Sequence, residues 1–282
     1  MKFLFKGYVL LILLVILSII SLFVGVSQLS LADIFHLNEE QRNILFSSRI
    51  PRTVSILLSG SSLALAGLIM QQMMQNKFVS PTTAGTVEWA KLGILLSLVF
   101  FPHGHILIKL LFAVTLSLAG TFLFVRLINF IRVKEVIFVP LLGIMIGGIV
   151  SSFTTFIALR TNALQSIGNW LNGNFAIITS GRYEVLYLVI PILIVAFVFA
   201  NHFTIAGMGK DFSHNLGVSY EKIINIALFI TAALTALVVV TVGTLPFLGL
   251  IVPNIISIFR GDHLKHALPH TLMLLSLIHI SE

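Results

Sequence analysis

Residues 49–81 read RIPRTVSILLSGSSLALAGLIMQQMMQNKFVSP. Arg49 and Arg52 bracket Pro51 and lead into an apolar segment crowded with small residues, which leaves through Gln71, Gln72, Gln75 and Asn76. Gly60, Ala64 and Gly67 lie four and three apart, so a helix through them carries all three on one face with Gln71. Small residues on a shared face let backbones approach closely in lipid, where packing rather than hydrophobic burial holds helices together. A packing seam accounts for the glycines but not for the ordered polar flanks.

The rest of the chain fits a helix-packing protein in lipid. Of 282 residues, 57% are hydrophobic and 10% charged, and the mean hydropathy is +1.07. A soluble domain of this size cannot bury that much apolar surface and carries more charge. The composition predicts an all-α, polytopic membrane protein. Cysteine is absent, which excludes disulfides and thiolate metal sites. The net charge of +7 is scattered between apolar runs, so it argues for membrane topology rather than nucleic-acid binding.

Helical spans need roughly 17–25 apolar residues. The pattern predicts them near 7–26, 53–75, 84–101, 106–126, 136–158, 185–201 and 223–243, with a short eighth near 246–260 and a ninth from about 267. The first is read as an uncleaved helix, since no small-residue cleavage site follows it and further spans do. With the N-terminus in the cytoplasm, alternation places ten basic residues inside, among them Lys77, Arg126, Lys210 and Lys222. Six lie outside, namely Arg42, Arg49, Arg52, Lys109, Arg160 and Arg182, in the sense of the positive-inside rule. Residues 27–52 are expected to form an outer loop, and residues 159–184, with Trp170, a second outer segment. Trp170 suits an interfacial anchor.

R-x-P-R, a small-residue helix and then Q-x-x-x-N-x-x-x-S-P resemble the start of FecCD-type permeases. A second block, residues 243–269 (GTLPFLGLIVPNIISIFRGDHLKHALP), resembles that family's G-x-x-x-F-x-G-L-x-x-P signature and the D-H pair that follows it. Its signature residues here are Gly249, Pro253, Asp262 and His263. The likeness runs over nearly the whole chain in the same order. It implies a ten-helix type II ABC importer permease, of which about nine spans are present, forming one transmembrane domain over residues 1–282. Two full spans are expected after Pro269, yet the sequence stops at Glu282 in SLIHISE, which does not look like family sequence, so a chain truncated at its C-terminus is expected.

The resemblance implies function as well. Such permeases import iron-siderophores, haem and cobalamin across the bacterial cytoplasmic membrane. They work with cytoplasmic ABC ATPase subunits, an extracytoplasmic binding protein and a second permease subunit, identical or related. In the family the R-x-P-R arginines, here Arg49 and Arg52, meet glutamates of the binding protein, which would steer docking. The loop at 202–222 resembles the segment that docks into the ATPase, with Gly209, Asp211, Leu216 and Gly217 as its coupling residues. The fifth span lines the family's central channel, which makes Gly143, Gly147, Gly148 and Ser151 candidate pathway or gate residues, although GxxxG is more often packing. Asn254 and Ser257 stand where many relatives carry His and Arg. With VEWAKLG at 87–93, they make the chain look closest to petrobactin- and anguibactin-type ferric-siderophore permeases.

No catalytic constellation is present: neither a Ser-His-Asp order, nor a paired carboxylate site, nor H-E-x-x-H occurs. GMGKD at 207–211 is not a phosphate loop, because that pattern needs Gly where Thr204 stands and Ser or Thr where Asp211 stands. ATP hydrolysis is therefore expected in a partner, and no cofactor is expected. His263, His266 and His270 have helical spacing for a metal, and His103 with His105 make a second group. Pro269 interrupts the first group and its D-H pair belongs to the family motif, so no metal site is assigned. Glu88 and Lys91 lie three apart within the third span, where an opposite-charge pair satisfies itself. An ion-driven secondary transporter would instead show midplane ionisable groups in broken helices and an internal repeat. An ABC permease for haem, cobalamin or a metal ion is the nearer alternative.

Overall fold

The computed structural model describes residues 7–23, 38–131, 137–261 and 263–280. These form α1 (Gly7–Phe23), α2 (Glu39–Ile44), α3 (Ile50–Met73), α4 (Thr86–Phe100), α5 (Ile106–Ile131) and α6 (Phe138–Arg160). The chain continues through α7 (Leu164–Leu171), α8 (Val189–Val198), α9 (Ala200–Ala206), α10 (Lys210–Asn215), α11 (Tyr220–Thr241), α12 (Leu248–Arg260) and α13 (Leu264–Ile280). No β-strand occurs among the described residues; one isolated bridge joins Asn172 to Thr244.

The bundle is arranged around α3, which touches α1, α8, α9, α11, α12 and α13. Leucine, alanine, serine and glycine surround it on all sides, and a helix without a polar face is stable only when enclosed. Residues from Leu63 to Gln71 are all buried. The stripe anticipated from its spacing is a double seam. Gly60 faces Ser276 of α13, and Gly67 faces Gly249 of α12 so closely that a Cβ there would stand 1.8 Å from the Gly249 carbonyl oxygen. Ser276 Oγ donates to the Leu57 carbonyl at 3.1 Å, a side-chain bond of the kind that joins helices in lipid. The other enclosed helix is α11, buried along nearly its whole length.

The helix through residues 49–81 starts earlier than its sequence suggests. Residues 39–52, expected as part of an outer loop, are helical, and Glu39–Met73 is one apolar element of 35 residues. Asn38 caps it: its Oδ1 accepts from Gln41 N–H at 2.7 Å, and its own N–H donates to Gln41 Oε1 at 3.1 Å. Pro51 looked like a helix start because its ring opposes the carbonyl four residues back. A π-turn over Leu45–Arg49 widens the helix just there and lets it continue.

Among the described residues, four helices are long and apolar enough to cross a bilayer: Glu39–Met73, Ile106–Ile131, Phe138–Arg160 and Tyr220–Thr241. The pair Tyr183–Val198 and Ala200–Ala206, bent by 59°, brings the number to five when it is counted as one broken span. The other anticipated spans are helical but short: α1 has 17 residues, α4 15, α12 13 and α13 17. α4 is started by Gly85 at φ 79°, and α12 lies between Phe247 at φ 62° and Gly261 at φ 75°. Beside this core, α4 and α5 meet where Gly93 lies on Ala113 and Trp89 on Gly120. Their buried Thr86 and Thr121 hydroxyls are 2.8 Å apart.

Candidate functional site

The two motif blocks, far apart in sequence, meet in space. At the end of α3 that the basic-residue count assigns to the cytoplasm, Gln71 Nε2 donates to the Leu250 carbonyl at 3.3 Å. Asn254 Nδ2 donates to the Lys77 carbonyl at 2.8 Å and to Leu250 O at 2.9 Å, and Lys77 Nζ donates to Ser257 Oγ. The loop beyond α3 is itself tied down. Asn76 Oδ1 accepts from Phe78 N–H at 2.9 Å, and Ser80 N–H donates to Thr83 Oγ1 at 2.8 Å ahead of α4. The polar flank of residues 71–80 is thus a clamp on α12. Gly249 and Pro253 lie in α12, with Gly249 at the α3 crossing and Pro253 buried; Asp262 lies outside the described residues.

The segment 202–222 folds as an elbow of α9, a turn at 207–209 and α10. Gly209 has φ 109° and ψ 168°, a conformation open essentially to glycine alone, and Gly217 has φ 71°. Ser213 is buried, and its hydroxyl donates to Gly209 O at 2.8 Å and to Ile205 O of α9 at 3.2 Å, which ties the two helices together. Met208, Phe212 and Leu216 are exposed together on the elbow, and Asp211 is exposed beside them. On its inner side the elbow rests directly on α3: a Cβ at Gly207 would stand 2.3 Å from Gln72 Oε1. Leu264 N–H donates to Thr204 Oγ1 at 3.2 Å, so the elbow also holds the start of α13. A cavity of about 470 Å³ lies between these parts, lined by Gln71, Gln75, Lys77, Thr204, Ser257 and His263 among others.

At the opposite end, Arg49 is 8% exposed and Arg52 half-buried, with the Arg52 Nε enclosed and without a hydrogen-bond partner among the described residues. In three other segments of the chain, Trp170 of α7 carries the Arg182 guanidinium 4.0 Å from its ring centroid and Lys109 Nζ of α5 at 5.2 Å. Burial pulls the Arg182 pKa down, and the indole face offsets part of that cost. Arg182 Nη2 also donates to Val240 O at 3.3 Å, and Gly173 and Gly243 are in backbone contact across the Asn172–Thr244 bridge. Sequence reasoning took Trp170 for an interfacial anchor and missed this cluster; the signal was a tryptophan flanked by two outer-side cations, but from three separate segments.

The candidate pathway residues of α6 do not share one face. Gly143 and Gly147 pack on the start of α4, where a Cβ at Gly143 would stand 2.2 Å from Thr83 O. Gly148 has open space around it and Ser151 is half-buried. Gly148 belongs to a stripe with exposed Leu141, Ile144, Met145, Phe153 and Phe156. Glu88 and Lys91 form the ion pair that their spacing predicts, at 2.8 Å. The rings of His263 and His266 stack at 4.6 Å, and His270 Nδ1 lies 3.0 Å from the His266 carbonyl one turn back.

The sequence model of the FecCD transport family matches residues 13–280. The chain belongs to the FecCD transport family. It is 53% identical over 263 residues to the petrobactin import system permease protein YclN of Bacillus subtilis (strain 168), covering 93% of this chain and 83% of that protein. The petrobactin import system permease protein FatD of Bacillus anthracis is 40% identical over 255 residues, 90% of this chain and 75% of its own length. A solved metal-chelate type ABC transporter in an inward-facing conformation superposes with a TM-score of 0.79 over 98% of this chain and 88% of that one. At 23% identity, that similarity establishes a common fold. In FecCD terms, the clamp on α12 joins the family's opening motif to its signature block.

Proposed function

We propose that this FecCD chain is the membrane-spanning permease subunit of an ATP-binding-cassette importer that carries ferric siderophores of the petrobactin class across the bacterial cytoplasmic membrane. The observation that carries this reading is the 53% identity to a petrobactin import permease over 93% of the chain. Two such subunits, identical or related, enclose the pathway, and the exposed α6 stripe around Gly148 and Ser151 supports α6 as its wall. The short helices α1, α4, α12 and α13 complete a bundle of nine spans out of a family ten. Cytoplasmic ATPase subunits take the elbow at Gly209, Asp211, Leu216 and Gly217, and the exposed Met208 and Phe212 supply apolar contact there. A binding protein delivers its cargo at the end bearing Arg49 and Arg52. The permease itself makes and breaks no bonds; closure of the ATPases pushes the elbow, and the elbow pushes α3 through Gly207 and Gln72.

The test is uptake of radio-iron petrobactin by cells lacking their own petrobactin permeases, supplied with this chain and its partner subunits. The wild-type chain restores uptake, and Arg49→Glu with Arg52→Glu removes it at equal membrane abundance. Equal uptake by both chains would retire the docking role. No uptake by the wild-type chain would overturn the substrate reading.

A further inference from the structure

The outer face of α11, between α5 on one side and α8 on the other, is a broad seam that opens as three adjoining hollows. The first, about 730 Å³, is lined by Arg126, Asn129, Lys210, Tyr220, Asn225 and others at the end assigned to the cytoplasm. Two more lead away from it. One of about 480 Å³ runs along α5 past Thr115, Leu118 and Leu228; the other, about 420 Å³, runs past Pro191, Val195 and Ile230. Asn225 lines all three, and Phe229 stands between the two inner channels and lines both. The hollows therefore have the outline of one polar mouth and two apolar arms.

Their chemistry is graded along the helices. At the mouth, Glu221 pairs with Lys210 at 3.4 Å, both well exposed, which leaves Arg126 as the excess cation. The Arg126 guanidinium lies 4.9 Å from the Phe122 ring and has no carboxylate within ion-pair distance among the described residues. Five residues inward from Tyr220, about 7.5 Å along α11, the exposed Asn225 makes no side-chain hydrogen bond among the described residues. Beyond it the arms are lined almost wholly by carbon. From Arg126 to Thr115 is ~16 Å along α5, close to half of a ~30 Å hydrocarbon core.

We infer that this seam is a binding site for an anionic diacyl phospholipid of the cytoplasmic leaflet. The phosphate sits between Arg126 and Lys210, the Asn225 amide donates to an ester carbonyl, and the two acyl chains divide around Phe229. Charge complementarity selects the occupant: a basic pocket between helices on the cytoplasmic side is where acidic headgroups are held. Lys210 belongs to the elbow and Arg126 to α5, so the headgroup ties the two together. The inference needs only that the bundle spans a bilayer and stands apart from the identity of the transported cargo.

The experiment is native mass spectrometry of the purified chain in detergent with added phosphatidylglycerol or phosphatidylcholine of matched acyl chains. Phosphatidylglycerol adducts should persist at least about fivefold more than phosphatidylcholine adducts, the weight of one or more surface cations. Arg126→Gln with Lys210→Gln should bring the two lipids level, and Ala119→Trp, which fills an arm at an exposed position, should lower both. Arg160→Gln is the matched control, since Arg160 lies 5.6 Å from the Phe156 ring at the opposite end of the bundle; it should change nothing. Equal binding of the two lipids by the wild-type chain overturns the proposal. So does a phosphatidylglycerol preference that survives the double substitution.

Discussion

The crossing of α3 and α12 makes a sharp prediction at Gly67. A methyl group there would stand 1.8 Å from the Gly249 carbonyl oxygen, 2.7 Å from its carbon and 2.9 Å from its Cα. Carbon and carbonyl oxygen rest at about 3.3 Å or more, so the helices must part by ~1.5 Å at that point. Overpacking of this kind costs about 1–3 kcal/mol, and the upper end applies because every opposing atom is backbone. Parting the helices also breaks the 3.3 Å bond from Gln71 to Leu250 O, a further ~1 kcal/mol. The better helix propensity of alanine returns about 1 kcal/mol. Gly67→Ala is therefore expected to destabilise the bundle by about 3 kcal/mol, which at about 2–4 °C per kcal/mol lowers Tm by roughly 6–12 °C. The assay is thermal unfolding of the detergent-solubilised chain followed by size-exclusion chromatography. Gly148→Ala is the companion measurement: nothing lies within 4 Å of its Cβ position, so Tm should hold or rise. A Gly67→Ala protein melting within about 2 °C of wild type would refute the reasoning.

Two further outcomes are expected. Gly209→Ala places a Cβ on a backbone at φ 109° and should cost about 1–3 kcal/mol of local strain; protease cleavage within 207–217 should quicken while the melting of the remaining bundle moves little, and unchanged cleavage would count against the strain. Glu88→Gln with Lys91→Met removes a partly exposed pair of small net value, about 0–1 kcal/mol. Uptake by that double variant should match wild type, and a loss at equal abundance would show that the pair belongs to the transport pathway.

Much of this fold was legible in the sequence because apolar runs and small-residue spacing are local signals. The face shared by Gly60, Ala64, Gly67 and Gln71 follows from helical period alone, and so does the Glu88–Lys91 pair. What those faces meet does not. Ser276 and Gly249 come from distant segments, and nothing in the spacing chooses them. The run 185–201 reads as one span because hydropathy carries no information about a 59° bend. The start of α3 was misread because proline normally marks a boundary, and a compensating π-turn leaves no compositional trace. In α6, Gly147 and Gly148 are adjacent and chemically identical, yet one is packed on α4 and the other faces open space. Only the neighbour's position decides between them.

The two seams of α3 also limit how it can move. Gly60 is seated on Ser276 of α13 and Gly67 on Gly249 of α12, and the two points lie ~10 Å apart along the helix. A rod held at two points pivots about neither. Any displacement of α3 that keeps these contacts carries α12 and α13 with it as one body.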